Sequence, residues 1–144
     1  MKFKLPSILL LALVSCSLLC SSCAGVFTKD DAKEIGSVIV KDALAIAVQA
    51  ASGSQVDPKI AATQLGLKVA YLALAKATAN MAAAASSELV NAEAERIVKD
   101  ALKHAQSEIP DIASSPQETM VAQLVAVGSA EKSLEALGVP IGGK

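Results

Sequence analysis

The chain should fold as an all-α, antiparallel four-helix bundle made of two duplicated helical hairpins, behind a cleaved signal and a short tether. Three observations predict this. Apolar residues recur three and four apart over long Ala-rich stretches, as on one face of a helix. Cap, proline and glycine signals cut those stretches into four. A block of sequence also returns at a fixed offset, so the third and fourth segments repeat the first and second.

Thr28 reads as an N-cap, with Asp30, Asp31 and Glu34 placing negative charge where the helix dipole favours it. Ile35, Ile39, Ala43, Ile46 and Ala50 follow at helical spacing, flanked by Val40, Leu44 and Val48, and Ser52-Gly53-Ser54 ends the helix near Ala51. Asp57-Pro58 starts the second helix, because a cap followed by a first-turn proline loses no needed N–H. Ile60, Gln64, Leu67, Tyr71, Leu74, Thr78, Met81 and Ala85 then alternate four and three apart, as in a heptad seam. Leu65, Val69 and Leu72 widen that apolar face, and Lys59, Lys68 and Lys76 are the only charges on the helix. A helix so apolar around its girth is expected in the middle of a bundle, with Tyr71 in the core.

Ala82 to Ala85, running into Ser86-Ser87-Glu88, is the weakest boundary, since the second helix could continue into the third. The third carries Val90, Ala94, Ile97, Ala101 and Ala105 and should stop at Ile109-Pro110, because a residue before proline avoids the α region. Ser115-Pro116-Gln117-Glu118 combines cap, proline and a Glu able to complete a capping box. The fourth helix presents Met120, Leu124, Val127, Leu134 and Leu137 and ends at Gly138, with Pro140 beyond.

Ile39-Val40-Lys41-Asp42-Ala43-Leu44 recurs as Ile97-Val98-Lys99-Asp100-Ala101-Leu102, an offset of 58. At that offset Pro58 falls on Pro116, Asp57 on Ser115 and Thr28 on Ser86. Chance likeness between Ala-rich helices is the competing reading. Duplication accounts for the identity and the proline register together, and it implies a break near Ser86.

The first residues carry an address. Lys2 and Lys4 precede an apolar run, and all three cysteines, Cys16, Cys20 and Cys23, sit just after it. Counted to Leu19 the run holds about 15 residues, short of the roughly 20 that cross a bilayer. Leu13-Val14-Ser15-Cys16, behind a positive start and an apolar run, resembles the lipobox of bacterial lipoproteins. That resemblance covers only these residues. It implies cleavage before the cysteine and acylation of its thiol, so that Cys16 is the expected lipid attachment site and 1–15 the signal. Cys23, after Ser21-Ser22, is the alternative, with the signal ending at 22. Cys20 is poor because Leu19 before it is large. An ordinary signal peptide, or an uncleaved anchor with incidental cysteines, competes with both. Residues 16–27 would then form a lipidated tether, 28–139 the Ala-rich bundle, and 140–144 a loose tail. Neither Ser17 nor Ala24 is the Asp that holds such proteins at the inner membrane of enteric bacteria. The resemblance therefore implies an outer-membrane address facing the periplasm.

Composition argues against several function classes. Lys and Arg number 13, two of them in the leader, which leaves 11 against 14 acidic residues. A mildly acidic chain whose only aromatic side chains beyond the leader are Phe27 and Tyr71 lacks the basic, stacking surface of a nucleic-acid binder. The 53% apolar content is inflated by alanine, so the core should be thin.

Chemistry-bearing patterns are sparse. Arg96, Asp100, His104 and Glu108 lie four apart and share one helix face, and His104 is the only histidine. A metal site needs three or four converging ligands, which the other helices do not offer; a solvated stripe of ion pairs explains the same residues. No Gly-x-Ser-x-Gly elbow or phosphate loop is present, and Glu93 and Glu95 face different ways. No catalytic residue, cofactor or metal is expected. The expected role is non-enzymatic: a membrane-anchored envelope lipoprotein whose bundle is a structural or protein-interaction module. It would meet an envelope protein partner or form a homo-oligomer, with Gln64 and Thr78 fixing register. Two rival readings are a bundle that binds a lipid or other apolar ligand, and a membrane-active helix 2.

Overall fold

A helix leaves its first N–H and last C=O groups without partners, and the ends of this chain are set by what replaces them. The computed structural model describes residues 28–82 and 84–141. The signal, the tether, Cys16, Cys20, Cys23 and the last three residues lie outside them. Four helices form: α1 (Thr28–Ala51), α2 (Pro58–Asn80), α3 (Ser87–Ile112) and α4 (Pro116–Ala136). Chain direction alternates from each helix to the next in an all-α bundle.

The Asp57 carboxylate accepts the Lys59 N–H at 2.8 Å at the head of α2. The Ser86 hydroxyl accepts the Leu89 N–H at the head of α3, so α2 and α3 are separate helices. The Ser115 hydroxyl accepts the Glu118 N–H at 3.2 Å, while the Glu118 carboxylate takes the N–H of Ser114 at 2.9 Å, one residue earlier than in a standard capping box. α1 and α4 end alike. Gly53 (φ 82°) and Gly138 (φ 77°) turn into the left-handed region. Ser54 N–H then reaches Gln49 C=O, and Val139 N–H reaches Leu134 C=O, as in a Schellman turn. Gly138→Ala should therefore cost about 1 kcal/mol in urea unfolding, since a Cβ is strained at that φ.

Pro110 does not stop α3 as expected; the helix runs on to Ile112. Proline removes one N–H from the ladder, but its ring faces solvent and Ile109 beside it is fully buried. The Ala113 N–H reaches Ile109 C=O at 3.0 Å, so the turn closes around the gap.

The core is thin. More than half of its buried apolar residues are alanine, and the large fully buried side chains are Ile35, Ile39, Val69, Ile97, Val98, Ile109 and Val125. On α1 and α3 the expected face is the buried one: Ile35, Ile39 and Ala43 pack against Ala94, Ile97, Ala101 and Ala105 in one cluster. On α2 it is not. Ile60, Gln64, Leu67, Tyr71 and Thr78 of the heptad seam face outward, while Leu74 packs against the core; Leu65 and Val69, expected beside the seam, are buried together with Ala62, Gly66, Ala70, Ala73 and Ala77. Tyr71, expected in the core, is exposed. On α4, Met120 and Leu124 are likewise exposed, while Ala122, Val125, Ala126, Ser129, Ala130 and Ser133 are buried.

Two effects account for the inversion. The inner stripe of α2 has no polar side chain, whereas the seam contains Gln64 and Thr78, whose burial without partners costs roughly 1–3 kcal/mol each. Small residues also let helix axes approach to the short end of the usual 8–10 Å range, so that backbone and Cβ atoms supply the dispersion that large side chains would have supplied.

Tight packing also decides the pairing. α1 packs most closely along α3 and α2 along α4, rather than within each hairpin. Ala62 lies against Gly128, where strict repetition would place Met120; Gly36 lies against Ala101 and His104, where it would place Ala94. The copies are thus slid along each other by roughly 10–15 Å at 1.5 Å per residue, into the register in which each glycine meets a close neighbour. A Cβ on Gly66 would come within 2.6 Å of Lys132 Cβ and 2.7 Å of the Ser129 carbonyl oxygen. Across that contact the buried Ser133 hydroxyl is 2.8 Å from Gly66 C=O and 2.7 Å from Ser129 C=O, sharing its one proton between them.

Candidate interaction surface

The inversion leaves an apolar face uncovered. Relative exposure is 59% for Ile60, 58% for Leu67 and 74% for Tyr71 on α2, and 67% for Met120 and 64% for Leu124 on α4. The two helices are joined by an open groove of about 280 Å³ whose lining includes Pro58, Ala62, Thr63, Leu124 and Gly128. The groove stays open because Ala62 and Gly128 have almost no side chain to fill it. Lys68 and Lys76 of α2 are held by carboxylates of α1. Lys68 pairs with Asp42 at 2.8 Å, and Lys76 bonds Glu34 and lies 3.4 Å from Asp31. Asn80 also donates to Asp31.

The hydrogen bond that Lys76 donates to Glu34 raises the lysine pKa above its usual 10.5, against partial desolvation, with further help from Asp31. Because the folded value exceeds the unfolded one, this contribution is complete below pH 10.5 and is lost as pH climbs through the raised value. Lys76→Met should therefore lower the melting temperature slightly at pH 7, and the gap from the parent chain should close as the pH rises past the raised value. The effect is small because the pair is in solvent.

Of the residues singled out on α3, His104 and Glu108 meet, while Arg96 and Asp100 pair with residues outside the set. Arg96 pairs with Glu93 at 3.3 Å, Asp100 with Lys103 at 3.5 Å, and His104 Nε2 lies 3.2 Å from Glu108. Among the described residues no group of three His, Cys, Asp or Glu side chains could hold a metal ion. His104 is occupied in packing: its Cδ2 and Cβ lie over Gly36, whose missing Cβ makes the room. No helix among the described residues is long and apolar enough to cross a membrane. Gly36, Gly66, Ser129 and Ser133 were not legible as contact points, although Ala62, Gly66 and Ala70 recur four apart on one stripe. That spacing of small residues was the available signal.

Comparison with family models, with curated proteins and with solved structures finds no match. The reading of function therefore rests on this face and on the N-terminal motif.

Proposed function

We propose that the chain is a lipid-anchored envelope protein whose bundle is a non-enzymatic protein-interaction module. The observation that carries the interaction half is the uncovered stripe on α2 and α4. Five large apolar side chains more than half exposed on two neighbouring helices exceed the scattered single residues of an ordinary surface. The anchor half is supported by the lipobox-like Leu13-Val14-Ser15-Cys16. A lipid anchor supplies membrane affinity at about 0.8 kcal/mol per buried methylene, so it leaves the apolar face available for protein contacts. The outer membrane, facing the periplasm, is the proposed address.

The intact mass of the mature protein, purified from membranes, tests the anchor. The expected chain lacks residues 1–15 and carries acyl chains on Cys16; loss of 1–22 with acylation at Cys23 moves the site but keeps the role. A chain with Met1 in place and no fatty acid would overturn it. Chemical cross-linking in the same membranes should trap a protein adduct of the bundle, and a strictly monomeric chain would overturn the interaction role.

A further inference from the structure

We propose that the two hairpins exchange between copies: α2 and α3 join across residues 81–86 into one helix, and α1–α2 of one chain packs on α3–α4 of a second. The contact is the core already described, so nothing depends on what covers the exposed stripe. The link between α2 and α3 differs from the other two. The α1–α2 link turns at Gly53 (φ 82°) and enters Pro58, and the α3–α4 link enters Pro116. Residues 81–86 hold neither glycine nor proline, and one Met with four Ala are strong helix formers. The helix is stopped there by two extended residues, Met81 (ψ 151°) and Ser86 (ψ 154°). The Ser86 cap bond is 3.4 Å long, against 2.8 Å at Asp57 and 3.2 Å at Ser115.

The inward faces also stay in phase across this link. Gly66, Val69, Ala73 and Ala77 are buried on α2, and Ala94, Val98, Ala101 and Ala105 on α3. On one continuous helix, Asn80, Ala84, Ser87 and Asn91 would join the two sets at steps of three and four. Each residue added or removed would swing the α3 face by about 100° and turn it from a shared core. A link that only reversed the chain has no need of that phase, whereas a helix running through two stacked bundles requires it.

Exchange keeps what stabilises the bundle. The closest packing, α1 along α3 and α2 along α4, runs between hairpins, so it re-forms with the second copy and no new surface has to be buried. The pairs of Lys68 with Asp42 and of Lys76 with Glu34 lie inside the first hairpin and travel with it. The joined helix from Pro58 to Ile112 is roughly 80 Å long at 1.5 Å per residue, with one bundle at each end. Each bundle keeps the apolar stripe, with α2 from one chain and α4 from the other, so the exchanged dimer presents it twice.

Native mass spectrometry of the full-length chain, refolded from urea in detergent at rising concentration, tests this. A dimer should form. Ser86→Ala removes a cap that only the unexchanged chain uses and should raise the dimer at least about fivefold. Ala82→Pro suits the extended Met81 before it but breaks a continuous helix, and should cut the dimer at least about a hundredfold. Leu67→Glu, on the exposed stripe, should leave it unchanged. Fluorophores at positions 59 and 111 of one chain, diluted with unlabelled chain, sit at the same end of the monomer and should transfer energy. In the exchanged dimer they lie roughly 80 Å apart on one helix, and the transfer should be lost. A dimer that keeps the transfer, or one that Leu67→Glu abolishes, would overturn hairpin exchange while leaving the interaction module intact. A chain that stays monomeric at every concentration, in the parent and in Ser86→Ala, would overturn it too.

Discussion

Gly66→Val should destabilise the bundle by about 3 kcal/mol or more, the largest effect expected of any single substitution at a helix contact. Overpacking alone costs roughly 1–3 kcal/mol, and here the obstruction cannot rotate away. The atoms in the path are the Ser129 carbonyl oxygen, the Ser133 nitrogen and Lys132 Cβ, so α2 and α4 must separate. Separation breaks the bond from Ser133 to the Gly66 carbonyl, worth about 1 kcal/mol. Replacing glycine inside a helix returns at most about 1 kcal/mol of propensity. The net loss is a large fraction of the roughly 5–15 kcal/mol that holds a domain of this size together. Urea unfolding of the parent and variant measures it directly. A loss under about 1 kcal/mol would mean that α2 and α4 do not meet at Gly66.

Ile97→Ala should cost about 2–5 kcal/mol, whereas Ile60→Ala should cost under about 0.5 kcal/mol, although both remove the same atoms. Ile97 is fully buried in the cluster that includes Ile35, Ile39 and Ala101. Its truncation leaves a cavity that neighbours as short as alanine cannot extend to fill. Ile60 is mostly in solvent, so shortening it removes little that folding had buried. Thermal or urea unfolding of both variants, compared at concentrations where the chain is monomeric, checks the pair. Equal costs would place the heptad seam back in the core.

The legible parts share a physical feature, and so do the illegible ones. α1 and α3 carry charges such as Lys33, Lys41, Arg96, Lys99 and Lys103 on one side, and those charges tell which side is wet. Their buried faces were readable for that reason. α2 and α4 are apolar or small on nearly every side, so periodicity found a face without finding its direction. The interaction surface was therefore visible as a set, Ile60, Gln64, Leu67, Tyr71 and Thr78, but was placed inside. On α4 the first two positions of the expected stripe, Met120 and Leu124, are exposed in the same way, whereas Leu134 packs against the core and Leu137 is buried. The helix ends needed no such choice: Asp57, Ser86, Ser115, Gly53 and Gly138 act on backbone groups a few residues away.

By itself the sequence determined what is local: four helices, the N-caps of α2, α3 and α4, the glycine ends of α1 and α4, the break before α3 and the wet sides of α1 and α3. Only the tertiary structure decided which side of α2 and α4 lies inward, which helices pair, and how far the repeated halves slide. Local signals involve atoms within a turn of each other, and any chain carrying those residues forms them. The choice of face and register is made where two backbones can come closest, and that depends on which atoms Gly36 and Gly66 meet across the contact, which no single helix contains.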